Sequence, residues 1–177
     1  MQDFVHLHVH TQYSLLDGQA SIPKLVDKAI ADGMKGIAIT DHGNMFGVKE
    51  FWNYVGKKNK ERRGKIKDLK SKIDELQAAV NATDSPTEEQ TSELARLKAE
   101  LDKLPKEDFK GIIGCEVYVA RRGMKLKEDK KLDQSGWHLV LLAKNEKGYH
   151  NLIKIVSKAW TEGYYQRPRT DHAELEK

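Results

Sequence analysis

The chain has a single cysteine, Cys115, so no internal disulfide can form and a reducing compartment is the expected setting. No segment approaches the roughly 20 consecutive apolar residues needed to cross a bilayer. The amino terminus also lacks the basic region and apolar run of a secretory leader. A soluble, cytoplasmic protein is therefore expected. Apolar residues are scarce, 38% against 33% charged, but unevenly so: residues 57–108 hold much of the charge and the flanks read as an ordinary globular domain. The net charge is only +4 over 177 residues, compatible with an anionic partner and too small to identify one. Clustered thiolates are missing as well, which argues against a purely structural zinc site.

What the chain does have is imidazole. Phe4-Val5-His6-Leu7-His8-Val9-His10 alternates histidine with apolar residues, and residues 3–9 are expected to form a strand. Its three histidines would share one face, leaving Phe4, Leu7 and Val9 for a core. Two histidines at i, i+2 on a strand end can grip one metal ion. Asp17 follows shortly after, and Thr40-Asp41-His42 adds a second carboxylate and imidazole.

The rest of the pattern alternates helices and strands. A polar loop at Thr11–Ala20 leads to Ser21 as a helix cap, with Pro23 in the first turn, Leu25, Val26, Ala29 and Ile30 on one face, and Gly33 as the stop. Gly36–Thr40 reads as a buried parallel strand delivering Asp41-His42-Gly43, and a helix is expected from about Phe46 to Tyr54. Ile66, Leu69, Ile73, Leu76 and Val80 then form a coiled-coil seam, Asn81–Ser85 a polar break, and Ser85-Pro86-Thr87-Glu88 a capping box. Leu94, Leu97, Leu101 and Leu104 form a second seam, so the two helices predict an antiparallel hairpin.

Strands are expected at Gly111–Val119, carrying Glu116, and at Trp137–Ala143, with His138 at its start, followed by a helix over 146–160. The order β-α-β-α, hairpin, β, β-α predicts an α/β fold with a parallel sheet or barrel. Four strands are too few to close a barrel, and the chain reads as part of a larger domain.

In α/β folds functional residues gather at the carboxyl ends of strands. His8, His10, Asp41, His42 and Glu116 fit that placement, while His138, at the start of its strand, fits it poorly. Imidazole with carboxylate suits zinc, manganese or iron. Several ligands per strand end suggest more than one ion, an arrangement typical of phosphoester hydrolysis.

His8-Val9-His10-Thr11, Ile39-Thr40-Asp41-His42, Gly114-Cys115-Glu116 and His138 together resemble the polymerase and histidinol phosphatase (PHP) superfamily. Residues 4–18, Ile113–Val119 and Tyr164-Tyr165-Gln166-Arg167-Pro168-Arg169 are similar to the PHP domains that open bacterial replicative DNA polymerases of the polymerase III alpha class. The resemblance covers 1–56 and 109–177, the amino-terminal part of a PHP domain; residues 57–108, the hairpin, stand where the common pattern has a short helix-to-strand link. It implies a partial, distorted (βα)7 barrel holding up to three divalent ions. His8 and His10 would hold one with Glu116, Glu116 would bridge to a second held by His138, and Asp17 and His42 would serve a third. Asp41 would orient a ligand from behind, and the nucleophile would be a metal-activated water with no side chain as base. His6, His150 and His172 are not expected ligands.

The resemblance also implies a downstream Asp-x-His motif that this sequence does not contain, so an ion bound here should be under-coordinated and hydrolysis weak or absent. The polymerase carboxylates, and the magnesium they would hold, are likewise expected elsewhere in a longer protein. That protein would extend DNA alongside other replicase subunits, a proofreading subunit among them, and the PHP domain would be a 3′–5′ exonuclease or a scaffold. The competing readings are a stand-alone small-molecule phosphatase and a non-catalytic interaction module.

Overall fold

The computed structural model describes residues 4–83, 85–134 and 136–177, which divide into two compact units, one running to Val55 and resuming at Lys110, the other Gly56–Phe109. In the first unit, α1 (Ile22–Ala31) starts at Ser21 with proline in its first turn and buries Ile22, Val26 and Ala29. Gly33 ends it at φ 76°, a left-handed conformation that glycine adopts without a Cβ penalty, while Met34 N–H reaches back to the carbonyl of Ala29. The chain then enters β1 (Gly36–Ile39), buried throughout.

The sheet is built around β2 (Lys110–Ala120), which changes partners along its length. Its first half pairs parallel with β1, Gly36 opposite Lys110 and Ile39 opposite Ile113. Its second half pairs antiparallel with β3 (Gly136–Leu142) and, at Tyr118 and Val119, parallel with β4 (Arg169–Thr170). Between β1 and β4 a single parallel bridge joins His42 to Glu116. One face of β2 (Cys115, Val117 and Val119) packs on Leu152 and Val156 of α5 (Glu146–Thr161). Asn145 caps α5 by accepting from Gly148 N–H. The short α4 (Lys130–Asp133) and α6 (His172–Leu175) are capped by Asp129 and Asp171.

Two expectations for this unit need correction. Residues 4–9 form no regular strand, and Asp3 lies outside the described residues. The segment does run beside β1, with Ala38 N–H on the carbonyl of His6 and Thr40 N–H on that of Val9. Four residues, 6–9, then face three, 38–40, and the Thr40 hydroxyl takes up Val9 N–H at 2.8 Å, so the ladder loses its register. Phe4 and Leu7, expected in a core, are 53% and 48% exposed. The sheet is also mixed, because β3 runs antiparallel to β2. Mixed sheets of this kind are common in α/β folds.

α2 (Val48–Asn81) is one helix of 34 residues, where a helix ending near Tyr54 and a separate seam helix were expected. Its first two turns bury Val48, Phe51 and Val55 in the first unit, and Gly111 leaves room there for the Phe51 ring. In the second unit, α2 and α3 (Glu88–Lys103) bury Leu69, Ile73, Leu94 and Leu97 against one another, with Leu76, Leu101 and Leu104 beside them. Ile66 is only partly buried. The capping box sits two residues later than expected: Thr87, not Ser85, is the cap, paired reciprocally with Gln90. Of the expected polar break, Asp84 lies outside the described residues. The unit closes on itself through Asn59, whose amide both donates to and accepts from the Phe109 backbone at 2.9 and 2.8 Å. Among the described residues no helix is long and apolar enough to cross a membrane.

Candidate metal centre

Glu116 sits at mid-strand in β2, with only 1% of its surface exposed. Burying a carboxylate is costly unless partners compensate it, and here the partners are imidazoles. His8 Nε2 and His10 Nε2 both meet Glu116 Oε2, His10 at 2.8 Å, and lie 3.1 Å from each other. On the other oxygen, Oε1 is approached by His42 Nδ1 at 3.3 Å and by His138 Nδ1. His42 Nε2 in turn meets Asp17 Oδ2 at 2.8 Å.

Local structure explains each position. His8 and His10 stay two residues apart on the extended segment beside β1. His42 is delivered by the continuation of β1 along the edge of β2, where Glu116 N–H donates to the carbonyl of Asp41 and Gly43 N–H to that of Glu116. His138 reaches the centre because β3 is antiparallel. It stands opposite Tyr118, so Glu116 is its diagonal neighbour on the same face. Its place at the start of β3 is thus no obstacle to joining residues from the far ends of parallel strands.

The ligand atoms form two trios, His8, His10 and Glu116, and His42, Glu116 and His138, each within 4.8 Å of one another. Asp17, 60% exposed, enters neither trio and touches the cluster through His42. The donor set suits a borderline divalent cation. Two buried atoms, Glu116 Oε1 and His42 Nδ1, lie 3.3 Å apart and make no hydrogen bond. A cation at that point would satisfy both, and the residues fit the group. Burial works to raise the Glu116 carboxyl, but hydrogen bonds from His10 and His8 and the charges of His42 and His138 outweigh it and hold the group below its ordinary value.

Asp41, 2% exposed, turns away from the imidazoles. Its Oδ1 accepts from Thr11 N–H and the Ser14 hydroxyl, both at 2.6 Å, and Oδ2 from the Thr11 hydroxyl at 2.8 Å. Ser14 Oγ also receives His42 N–H at 3.1 Å. Asp41 therefore braces the loop leading to Asp17 and, through Ser14, the backbone of His42. Cys115, next to Glu116 but facing the core, donates its thiol to the Asp41 carbonyl, and burial pushes its pKa up to about 12. His6 packs edge-on to Phe4, His150 is exposed near Glu146, and His172 opens α6.

Sequence reasoning missed Tyr118, Thr11, Ser14 and Arg167. Tyr118 packs its ring edge-on to His138 at 4.9 Å and parallel to His42 at 6.1 Å. It stands two residues from Glu116 on one strand, so period-2 alternation was a usable signal. Arg167 donates to Tyr118 Oη at 2.8 Å. No sequence period links it to the histidines.

A model of the PHP domain matches residues 6–177. The chain is 37% identical over 174 residues to the DNA polymerase III subunit alpha of Borreliella burgdorferi, covering 98% of this chain and 11% of that protein. The subunits named likewise in Treponema pallidum and Aquifex aeolicus are 36% and 35% identical over 168 and 181 residues, covering 95% and 99% of this chain and 10% and 11% of theirs. The chain thus spans about a tenth of the length of these relatives.

Proposed function

The chain belongs to the PHP domain family, and from that premise we propose that its imidazole–carboxylate cluster binds divalent metal and hydrolyses phosphodiesters, as a 3′–5′ exonuclease within a replicative DNA polymerase. The observation that carries this reading is Glu116, a buried carboxylate whose two oxygens each face imidazole nitrogens while Oε1 has no hydrogen bond. His8 and His10 would hold one ion with Glu116, and His42 and His138 a second with the same carboxylate. Asp17, 2.8 Å from His42 Nε2, would serve a third together with that imidazole. Zinc, manganese and iron all suit this set. Ions bound there would supply positive charge opposite the non-bridging oxygens of a phosphodiester and acidify a water.

The chain's own residues fix the geometry. The backbone of Glu116 is held on both edges of β2, by β3 on one side and by the bridge to His42 on the other. Asp41, Thr11 and Ser14 hold the loop that carries Asp17. Misplacement by about 1 Å can cost around a hundredfold in rate, so this bracing matters for turnover.

The names of the relatives support placing the domain in a subunit of a DNA polymerase; a cytoplasmic setting and other replicase subunits as partners, a proofreading subunit among them, belong to the same proposal. The polymerase site, with its magnesium, would lie in the remainder of such a protein. Residues 57–108 are read as an inserted helical hairpin in the PHP domain formed by 1–56 and 109–177. A stand-alone phosphatase is disfavoured by the relatives' length, whereas a scaffold that holds metal without turnover is the alternative to beat.

The deciding assay incubates 5′-labelled single-stranded DNA with manganese or zinc and either residues 1–177 or the whole protein of the same reading frame. Metal-dependent shortening from the 3′ end is expected from the whole protein, lost on His8→Ala with His10→Ala, and weak or absent from residues 1–177. Metal bound with no cleavage in either would establish the scaffold.

A further inference from the structure

The six groups of the cluster are imidazoles and carboxylates, and none is a permanent cation. Recognition of a phosphoryl group normally adds one, most effectively an arginine whose planar fork meets two oxygens. Arg167 is exposed, yet it is held in place. It donates Nη1–H to Tyr118 Oη at 2.8 Å, and its guanidinium carbon lies 5.0 Å from the centre of the Tyr118 ring. The same ring contacts His42 and His138, so Arg167 stands one aromatic ring from the candidate ligands.

The backbone fixes this placement independently. Gln166 is left-handed at φ 59°, uncommon for a residue with a side chain, and Tyr165 N–H bonds the Arg167 carbonyl at 3.1 Å across the turn. Pro168 packs where a Cβ on Gly43 would lie, at 2.6 Å, and that space would also crowd Tyr118. Gly43 follows His42 directly, so the turn is wedged against the strand end that carries a candidate ligand. Arg169, two residues on and fully buried, donates to the carbonyls of Gly163, Met124, Leu126 and Asp133. By contrast, Arg167 has no carboxylate partner among the described residues, and Nη1 is its one committed donor group. Tyr118 Oη accepts that bond, which leaves its own proton free to donate.

A surface arginine ordinarily gives up rotamer freedom when it binds. Here the turn, the ring and the hydroxyl have already ordered the side chain while its remaining N–H groups stay unused. We propose that Arg167, positioned by Tyr118, is the phosphate-binding residue of the centre: it receives the non-bridging oxygens of the ester presented to the imidazole–carboxylate cluster. The proposal rests on the phosphodiesterase reading given above and adds the residue that would orient the substrate.

Inorganic phosphate is the probe, titrated calorimetrically into the chain with and without manganese, alongside manganese stoichiometry by elemental analysis. Arg167→Gln should weaken phosphate binding about tenfold or more, the scale of one lost charge-assisted hydrogen bond, with manganese content unchanged. Arg167→Lys, which keeps the charge and loses the fork, should recover part of the affinity. Tyr118→Phe should fall between wild type and Arg167→Gln. Wild-type phosphate affinity in Arg167→Gln would overturn the assignment. So would a parallel loss of manganese, which would make the residue a structural support of the centre. If the wild-type chain takes up no manganese, the metal reading fails by itself, and Arg167 is still judged by whether metal-free phosphate binding depends on it.

Discussion

Two carboxylates lie buried in the first unit, Asp41 just past the end of β1 and Glu116 on β2, and their surroundings have opposite logic. Asp41 is saturated by one backbone N–H and two hydroxyls, so both of its oxygens are engaged by the protein's own donors. Glu116 faces four imidazoles, and its Oε1 accepts no hydrogen bond. A buried charge must be compensated. Asp41 is compensated by the fold as it stands, whereas at Glu116 one oxygen is left without a hydrogen bond, a position a cation would satisfy. The first arrangement braces the fold and the second has the donor set of a candidate metal centre, and the identity of the neighbours separates them.

The largest effect should come from removing the charge at Glu116. Glu116→Gln should cut metal affinity by more than the ten- to hundredfold typical of losing an outer partner of a ligand, because both trios share this residue. Elemental analysis should find the variant essentially metal-free, and metal that raises the wild-type melting temperature should leave that of the variant unmoved. The metal-free wild type should also show an acid limb absent from the variant. The folded-state pKa of Glu116 lies below its ordinary value, so the stability it contributes is full above the ordinary carboxylate range and is lost as pH falls through the lower folded value. Full metal content in Glu116→Gln would erase the distinction between the two carboxylates.

Asp41→Asn tests the other side and should act on the fold. Hydrogen bonds to charged groups are worth about 1.5–3 kcal/mol each and are not additive, so a loss of about 2–4 kcal/mol is expected in urea unfolding, with and without metal alike. Metal stoichiometry measured well below the midpoint should stay near that of wild type. A variant that is stable but metal-free would move Asp41 from bracing the loop to holding the ions.

Residue chemistry explains how much of this was legible beforehand. His8, His10, His42, Glu116 and His138 stood out because they are ligand-type residues set in or beside apolar strand patterns, and the structure brings the four histidines around the Glu116 carboxylate. The strand expected at 3–9 failed because alternation alone cannot register a bulge, and here the Thr40 side chain replaces a backbone partner. Strand direction was illegible too. Nothing in Trp137–Ala143 distinguishes a parallel from an antiparallel partner, yet that choice is what brings His138 beside Glu116. Arg167 escaped notice because its link to the site runs through tertiary packing on Tyr118. The leucine seams, by contrast, read directly, since α2 and α3 bury their apolar stripes locally.

The smallest effect should come from the second unit, where the described residues include no buried carboxylate. Its buried polar side chain, Asn59, is satisfied by the Phe109 backbone, and Arg62 and Arg63 both pair with Asp108. The cohesion of the unit comes from leucine and isoleucine side chains, each worth about 1.5–3 kcal/mol when buried. It offers no group resembling Glu116, and its ends are tied by contacts internal to the unit. Replacing residues 59–106 with a short Gly/Ser link should therefore leave metal stoichiometry unchanged and keep the unfolding of the remainder cooperative, with a shift of about 1 kcal/mol or less, in the range of substitutions far from any buried network. Loss of metal together with loss of cooperative unfolding would show that the PHP domain requires these residues, and the hairpin could no longer be read as an insertion.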